Sequence, residues 1–210
     1  MTLNHTDLSV KEFYDNNCKD FDVTRVRIWK SVKEFVKNIT EKQFVNENNR
    51  LNVLDAGCGN GKNMIFMNNN HINTTGIDFS INLVNLCQDK LLNVYESDVR
   101  SIPFRDNSFD HVISIAVIHH LSSEEDRKTA INEMLRVCKP GGKVLISIWA
   151  FEQDEDSTFK FTVGDNYVKW RDTTRYYHIY DKDGAENLIK SYNVKNFYNE
   201  LGNWFFLLEK

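Results

Sequence analysis

Two spacings of apolar residues alternate along this chain, and together they predict helices laid against a sheet. Ile28, Val32, Phe35, Val36 and Ile39 recur at helical spacing within a segment running from Val10 to Ile39, for which Asp22 or Thr24 can serve as N-cap. Short strands are then predicted at 52–55, 74–78 and 92–98, each ending in an acid, with a helix over 81–90 capped by Ser80. The most apolar stretch, from Ser108 to Ile118, suits a central strand covered on both faces. Ser122 and Glu125 make a capping box for a helix whose stripe is Ile131, Met134, Leu135 and Cys138, with Pro140-Gly-Gly142 as its stop. A β-branched run over 143–149 is a fifth strand, and Asp181 or Asp183 caps a short helix reaching Lys190. Strands at 193–199 and 203–209 are joined so tightly, by Glu200-Leu-Gly-Asn203, that they must form an antiparallel hairpin. The fold class is therefore α/β: a doubly wound, mostly parallel sheet of seven strands that ends in an antiparallel hairpin.

Composition narrows this picture. With 210 residues and 41% hydrophobic content, the chain fits one domain. Within it, 1–50 is an N-terminal helical segment, 51–150 the core of alternating strands and helices, and 151–210 a loop and the completion of the sheet. A formal charge of −4 offers no global field for nucleic acid or an anionic membrane, so an RNA partner would need a local basic patch. Arg25, Arg27, Lys30, Lys33 and Lys37 oppose only Glu34, which reads equally as such a patch or as a solvated helix face. No basic segment with an apolar core opens the chain and no apolar run reaches ~18 residues, so a soluble protein of the cytoplasm, or of cytoplasm and nucleus, is expected. Cys18, Cys58, Cys87 and Cys138 form no Cys-x-x-Cys pair; reduced thiols and no metal site are expected.

The candidate chemistry begins at Leu51-Asn-Val-Leu-Asp55, a buried strand that runs into Ala56-Gly-Cys-Gly-Asn-Gly61. Gly57, Gly59 and Gly61 remove side chains that would hold a ligand off the backbone, and they permit positive φ in a tight turn. Asp78 ends the next strand, where a carboxylate can accept from both hydroxyls of a ribose. A nicotinamide dinucleotide and S-adenosylmethionine both fit that much. A dehydrogenase turn would complete Gly-x-Gly-x-x-Gly, and here no third glycine stands in register after Gly61. A second acid, Asp98, is placed to receive an adenine amino group.

With the terminal hairpin, this arrangement resembles the class I S-adenosylmethionine-dependent methyltransferases. Asp55-Ala-Gly-Cys-Gly-Asn-Gly61, Asp98-Val-Arg-Ser-Ile-Pro-Phe104, Ser108-Phe-Asp110 and Leu135-Arg-Val-Cys-Lys-Pro-Gly-Gly142 carry the likeness in order. The resemblance implies that Asp55 and the loop around Gly57 and Gly59 hold the methionine part through its ammonium, and that Asp78 holds the ribose. It sets Asp98 and Val99 beside the adenine and Ile115 and Ala116 on the floor near the sulfonium, although core packing alone would also account for the last two. Phe13-Tyr-Asp-Asn16, Phe21-Asp-Val-Thr-Arg25 with Trp29, Ile118-His-His-Leu121, Trp170-Arg171 and Arg175-Tyr-Tyr-His-Ile-Tyr180 look more narrowly like the eukaryotic wobble-uridine tRNA methyltransferases, which esterify the carboxylate of 5-carboxymethyluridine. The stretch from Ala150 to Lys169 is shorter than the family's insertion, which leaves RNA contacts from that loop open.

For such an acceptor no strong base is required, because a carboxyl of pKa roughly 4 is already ionised near neutral pH. Positioning is the main demand. Arginine grips carboxylate or phosphate with a bidentate fork, which singles out Arg25, Arg171 and Arg175. Tyr176, Trp149 and Tyr177 are candidates to stack on an unpaired anticodon base. His119 is the candidate for polar contact with substrate, His120 reads equally as structural, and His178 either positions the base or satisfies a buried backbone group. Read as neighbours at a strand end, His119 and His120 point apart and do not share a metal. The resemblance further implies a heterodimer with a small zinc-binding activator subunit. Its docking place would be the sheet edge from Leu92 to Ser97, where Leu92, Val94 and Tyr95 invite strand pairing. The competing readings are a small-molecule methyltransferase, a silent cofactor-binding scaffold and, more distantly, a hydride-transfer enzyme.

Overall fold

The structure is a computed structural model and describes residues 5–153, 157–170 and 173–210. Helices α1 (His5–Thr24) and α2 (Lys30–Lys42) precede β1 (Asn52–Ala56), α3 (Lys62–Asn68), β2 (Asn73–Asp78), α4 (Ile81–Asp89), β3 (Val94–Glu96) and β4 (Phe109–Ile115). A 3-10 turn, Ile118–His120, leads to α5 (Glu124–Val137) and the long β5 (Cys138–Trp149). Then come β6 (Gly164–Trp170), β7 (Thr173–Ile179), α6 (Lys182–Ile189), β8 (Val194–Glu200) and β9 (Asn203–Glu209).

The main sheet has the order β3-β2-β1-β4-β5-β9-β8, parallel except at β9 and β8. Alternate side chains of each strand feed two cores. Leu54, Val112, Ile146 and Phe206 pack on one face with α5 and α6, whereas Val53, Ile113, Leu145 and Phe205 pack on the other with Val32 and Phe35 of α2. Strand order reverses between β1 and β4, and ligands of open α/β sheets bind at that crevice beyond the strands' carboxyl ends.

Several local expectations are corrected. The N-terminal helical segment is two helices; α2 follows Trp29 and is capped from outside by the Glu200 carboxylate, which accepts the N–H groups of Lys30 and Ser31 at 2.9 Å each, while Asp22 and Thr24 end α1 instead. Ser123, one residue after the expected cap, accepts the Asp126 N–H and starts α5. Helix α5 ends before Pro140, and Pro140-Gly-Gly142 lies inside β5, where a Cβ on Gly142 would meet the Asp110 carbonyl at 2.3 Å. The segment after Trp149 adds an antiparallel pair, β6 and β7, apart from the main sheet.

Candidate active site

One cavity of about 450 Å³ occupies the crevice, walled by the glycine loop, the ends of β2 and β4, the 3-10 turn, β7, the β8–β9 hairpin and α1. The glycine loop follows from close packing. Gly57, Gly59 and Gly61 have φ of 84°, 56° and 76°, and a Cβ on Gly57 would sit 2.4 Å from a Val117 methyl. The N–H groups of Gly57 and Cys58 both donate to the Ile77 carbonyl, at 2.8 and 2.9 Å, which ties the loop to β2.

Three acids stand around this loop in different states. Asp55 is fully buried, and neither carboxylate oxygen has a hydrogen-bond partner among the described residues. Burial, reinforced by the charge of Asp78 and opposed by Lys62, raises its pKa to about 7. Asp78 accepts from the N–H groups of Gly59 at 2.8 Å and Ser80 at 2.9 Å, and each oxygen keeps a lone pair. Asp98 accepts the Arg100 backbone N–H at 2.8 Å and the same residue's Nη2 at 2.6 Å, while lining the cavity beside Val99. It is thus both a turn cap and a cavity wall. Ile115 and Ala116 also line it, Ala116 at φ 60°.

At the other end the cavity is cationic and aromatic. Arg175 is 3% exposed and its guanidinium carbon lies 4.5 Å from the Phe13 ring, 4.9 Å from Trp170, 5.3 Å from Tyr177 and 5.7 Å from Tyr14. Its Nη1 donates to the Tyr14 hydroxyl at 3.3 Å, its Nε has no partner, and among the described residues no carboxylate pairs with it. Arg25 shares the Trp170 ring, at 5.1 Å. Buried charge without a counter-ion is costly, so this end is prepared for an anion.

The histidines are correspondingly distinct. They sit on a 3-10 turn rather than a strand end, and both line the cavity, with ring centroids 4.5 Å apart. His120 meets the Tyr176 carbonyl through Nδ1 at 2.8 Å and the Tyr14 hydroxyl through Nε2 at 2.9 Å. A carbonyl only accepts, so Nδ1 carries the proton, Nε2 accepts, and His120 has nothing left for a ligand. Burial pushes its pKa down to about 3. His119 accepts the Trp149 N–H on Nδ1 at 3.2 Å, so the neutral ring carries its proton on Nε2, which has no partner among the described residues. Burial holds His119 well below its ordinary pKa. It is a hydrogen-bond donor, not a base.

Strand alternation corrects part of the expected site. Arg175 and Tyr177 face the cavity, whereas Tyr176 and His178 lie on the opposite side of β7. There the Tyr176 hydroxyl donates to Asp165 at 2.7 Å and His178 Nδ1 meets the same oxygen at 2.7 Å. Tyr177 and Trp149 are in the wall, but they already stack on each other at 4.3 Å, with His119 against Tyr177 at 5.1 Å. They form a rigid aromatic wall rather than open platforms for a base. Arg171 lies outside the described residues. Sequence reasoning missed Lys11, Asn60, Lys62 and Asn203, all in the wall. Asn60 Nδ2 donates to the Arg25 carbonyl at 3.1 Å and Lys62 Nζ to the Arg27 carbonyl at 2.9 Å, which fastens the α1–α2 link onto the glycine loop. Among the described residues no cluster of three metal-ligating side chains occurs, and no helix is long and apolar enough to cross a membrane.

Comparison with known proteins gives this geometry relatives. A family model described as a methyltransferase domain matches residues 54–146. A provisionally named methyltransferase of Encephalitozoon cuniculi is 35% identical over 211 residues, covering 96% of this chain and 95% of the relative. The tRNA (carboxymethyluridine(34)-5-O)-methyltransferase of Arabidopsis thaliana is 40% identical over 148 residues, covering 70% of this chain. That match spans only 34% of the Arabidopsis protein's length. Among solved structures, a Haloferax volcanii methyltransferase in complex with the Trm112 methyltransferase activator superposes with a TM-score of 0.71 at 16% identity, covering 96% of this chain and 97% of that one.

Proposed function

Because the chain belongs to the class I S-adenosylmethionine-dependent methyltransferase family that includes the wobble-uridine tRNA enzymes, we propose that it transfers the methyl group to the carboxylate of 5-carboxymethyluridine in a tRNA anticodon loop. The observation that carries this reading is Arg175, a buried guanidinium enclosed by four aromatic rings and, among the described residues, without a carboxylate of its own. An acceptor carboxylate supplies the missing charge. The Nε2–H of His119 is a second donor for it. Both groups favour the anionic acceptor over its neutral ester, which promotes release of product.

The residues present fit the cofactor. Asp78, in the cavity wall, has lone pairs for its ribose hydroxyls, and the glycine loop offers backbone where side chains would intrude; Asp55, fully buried just before that loop and not itself in the cavity wall, has two unpartnered oxygens as negative charge for the cofactor's ammonium. When bound, S-adenosylmethionine supplies an electrophilic methyl on a sulfonium. The protein's task is to hold one acceptor oxygen in line with it and to exclude water. No proton has to move, which agrees with a His119 that is neutral and has its only accepting nitrogen engaged.

Asp55 gives this site a pH signature. Its carboxyl is protonated below about 7 in the free protein and ionised against the cofactor's ammonium. Cofactor affinity should therefore weaken as pH falls from 8 to 6, by up to about tenfold per unit below the pKa, with binding at the acid end releasing one proton. Calorimetry in two buffers of different ionisation enthalpy measures that proton; pH-independent affinity would place the ammonium elsewhere.

We further propose a small zinc-binding activator as partner, docked on β3, with the zinc in the partner. β3 is a three-residue edge strand beside Leu91, 94% exposed, and Tyr95, 48% exposed. Leu92 and Val94, expected in that surface, are instead buried against α3 and α4. Leu91→Asp combined with Tyr95→Lys should abolish co-purification with the activator while the melting temperature shifts by less than about 2 °C, since both side chains are exposed. Co-purification that survives would move the interface off this edge. A cytoplasmic or cytoplasmic and nuclear location goes with this proposal.

The decisive test incubates tRNA carrying 5-carboxymethyluridine with the chain, the activator and S-adenosylmethionine, and reads the wobble nucleoside by mass spectrometry. One added methyl that mild base removes is the expected outcome. No methyl on RNA, from a folded complex that binds cofactor, would turn the reading to a small-molecule acceptor.

A further inference from the structure

We propose that Asn203 reads the imide edge of the acceptor base by accepting a hydrogen bond from uracil N3–H, and so selects uridine over cytidine. The inference rests on the proposed uridine acceptor and adds the residue that identifies its base.

Asn203 is 5% exposed and lines the same cavity as Arg175 and His119. Its Nδ2 donates to the Leu201 carbonyl at 3.1 Å, which fixes which end of the amide is oxygen. Oδ1 is left as a buried acceptor without a partner among the described residues. The backbone beneath it is held from three sides. Asn203 pairs with Trp149 across β5 and with Glu200 across β8. The Ala150 N–H donates to the Gly202 carbonyl at 2.9 Å, and Gln153 Nε2 bridges the carbonyls of Ala150 and Gly202 at 2.6 and 3.0 Å. Leu201 and Gly202, at φ 48° and 73°, make the tight turn that delivers the side chain there.

A buried acceptor left unpaired destabilises the free protein, and a ligand donor relieves it. On ligand binding the side chain must rotate, as interface side chains commonly do, so that Oδ1 turns onto the ligand from this fixed backbone. Location decides which ligand. Asn63 also carries an orphaned Oδ1, but it stands in α3 immediately behind the glycine loop, on the cofactor side. Asn203 instead adjoins Trp149, whose ring stacks on Tyr177 next to Arg175 and His119. That is the acceptor end. A uracil presents there O2 and O4, which only accept, and one donor, N3–H. Cytosine has no hydrogen on N3. A site with one fixed acceptor therefore rejects cytosine by leaving two acceptors face to face.

The test uses anticodon stem-loop RNA carrying 5-carboxymethyluridine, its N3-methyl derivative or 5-carboxymethylcytidine, with the activator-bound protein. Methyl transfer gives kcat/KM, and titration in the presence of S-adenosylhomocysteine gives affinity. The wild type should prefer the uridine by about 10- to 100-fold over both analogues in each readout. In Asn203→Ala the uridine should fall towards the cytidine, with the ratio between them within about threefold. Asn203→Asp keeps an acceptor but loses the Nδ2 bond to the Leu201 carbonyl and adds a charge, so it should retain the preference at a lower absolute kcat/KM. A folded Asn203→Ala protein with an unchanged uridine-to-cytidine ratio, or a wild type indifferent to the two bases, would overturn the inference and leave the proposed function standing. A wild type that methylates no RNA would overturn the proposed function itself, and this inference with it.

Discussion

Arg175→Ala is expected to lower kcat/KM for the RNA acceptor by two to three orders of magnitude while changing cofactor affinity less than about twofold. Truncating one partner of a buried, hydrogen-bonded charge pair costs about 2–5 kcal/mol, and each ~1.4 kcal/mol is a factor of ten. Arg175→Lys should recover little. Lysine lacks the planar fork that grips a carboxylate, and it stacks poorly in a space bounded by Phe13, Tyr14, Trp170 and Tyr177. The side chain also has a structural part, because its Nη1 holds the Tyr14 hydroxyl, which in turn satisfies His120. Arg175→Met preserves most of the volume and separates the two roles. If its melting temperature stays near wild type and acceptor turnover still collapses, the lost interaction is with substrate. Equal losses in cofactor binding and turnover would show instead that the aromatic enclosure had come apart.

How much of this was readable beforehand follows from the range of the signals involved. β1, β4 and β5 carry apolar runs that read as buried strands, β2 is a Thr-Thr-Gly-Ile stretch ending in Asp78, and the hairpin is dictated by four residues, Glu200 to Asn203, that permit no other connection. β6 and β7 were not legible. Gly-Asp-Asn-Tyr-Val-Lys-Trp and Thr-Thr-Arg-Tyr-Tyr-His-Ile lack a clean apolar alternation, and they pair with each other rather than join the main sheet. Without knowing that 173–179 is a strand, nothing assigns Arg175 and Tyr177 to one face and Tyr176 and His178 to the other. The motif as a string weighs all four alike. A similar limit hid the role of α1. Asp7, Val10, Lys11, Tyr14 and Phe21 recur at helical spacing, yet the mixture of acid, base and aromatic on that stripe matches a cavity wall rather than a core. Asn203 needed three dimensions outright; His119 is singled out in the sequence, but the sequence cannot show which of its polar atoms is left unpaired.

That wall helix is the subject of the second large effect: Arg100→Ala should destabilise the protein by about 3–5 kcal/mol and weaken cofactor binding at least tenfold. Arg100 is 3% exposed and meets three carboxylates. Its Nη2 lies 2.6 Å from Asp98, and its Nη1 lies 2.8 Å from Asp7 and 3.1 Å from Asp126. Removing the cation leaves three acids to repel one another, with Asp7 only 4% exposed. The consequence reaches α1 because Arg100 anchors the start of that helix through Asp7. Its buried residues are Asp7, Val10 and Phe13, and Asn17, at φ −116°, interrupts its geometry. Its further ties include Lys11 to Glu96 at 2.7 Å, Asp15 to the Ser80 hydroxyl at 2.6 Å, Asp22 to Lys90 at 2.6 Å and Tyr14 to His120 at 2.9 Å, with Phe13 and Tyr14 packed against Arg175. A helix attached this way opens below the global unfolding energy, and it covers the cofactor loops. Hydrogen exchange should therefore quicken along 5–24 in the variant before the sheet is affected. Asp7→Asn is the contrasting change. It leaves Arg100 paired with Asp98 and Asp126, so its cost should stay within about 1 kcal/mol, since the cation keeps its counter-ions. If Arg100→Ala melted within about 2 °C of wild type and bound cofactor normally, the helix would have to be held by its apolar contacts, and the cluster would be incidental to cofactor retention.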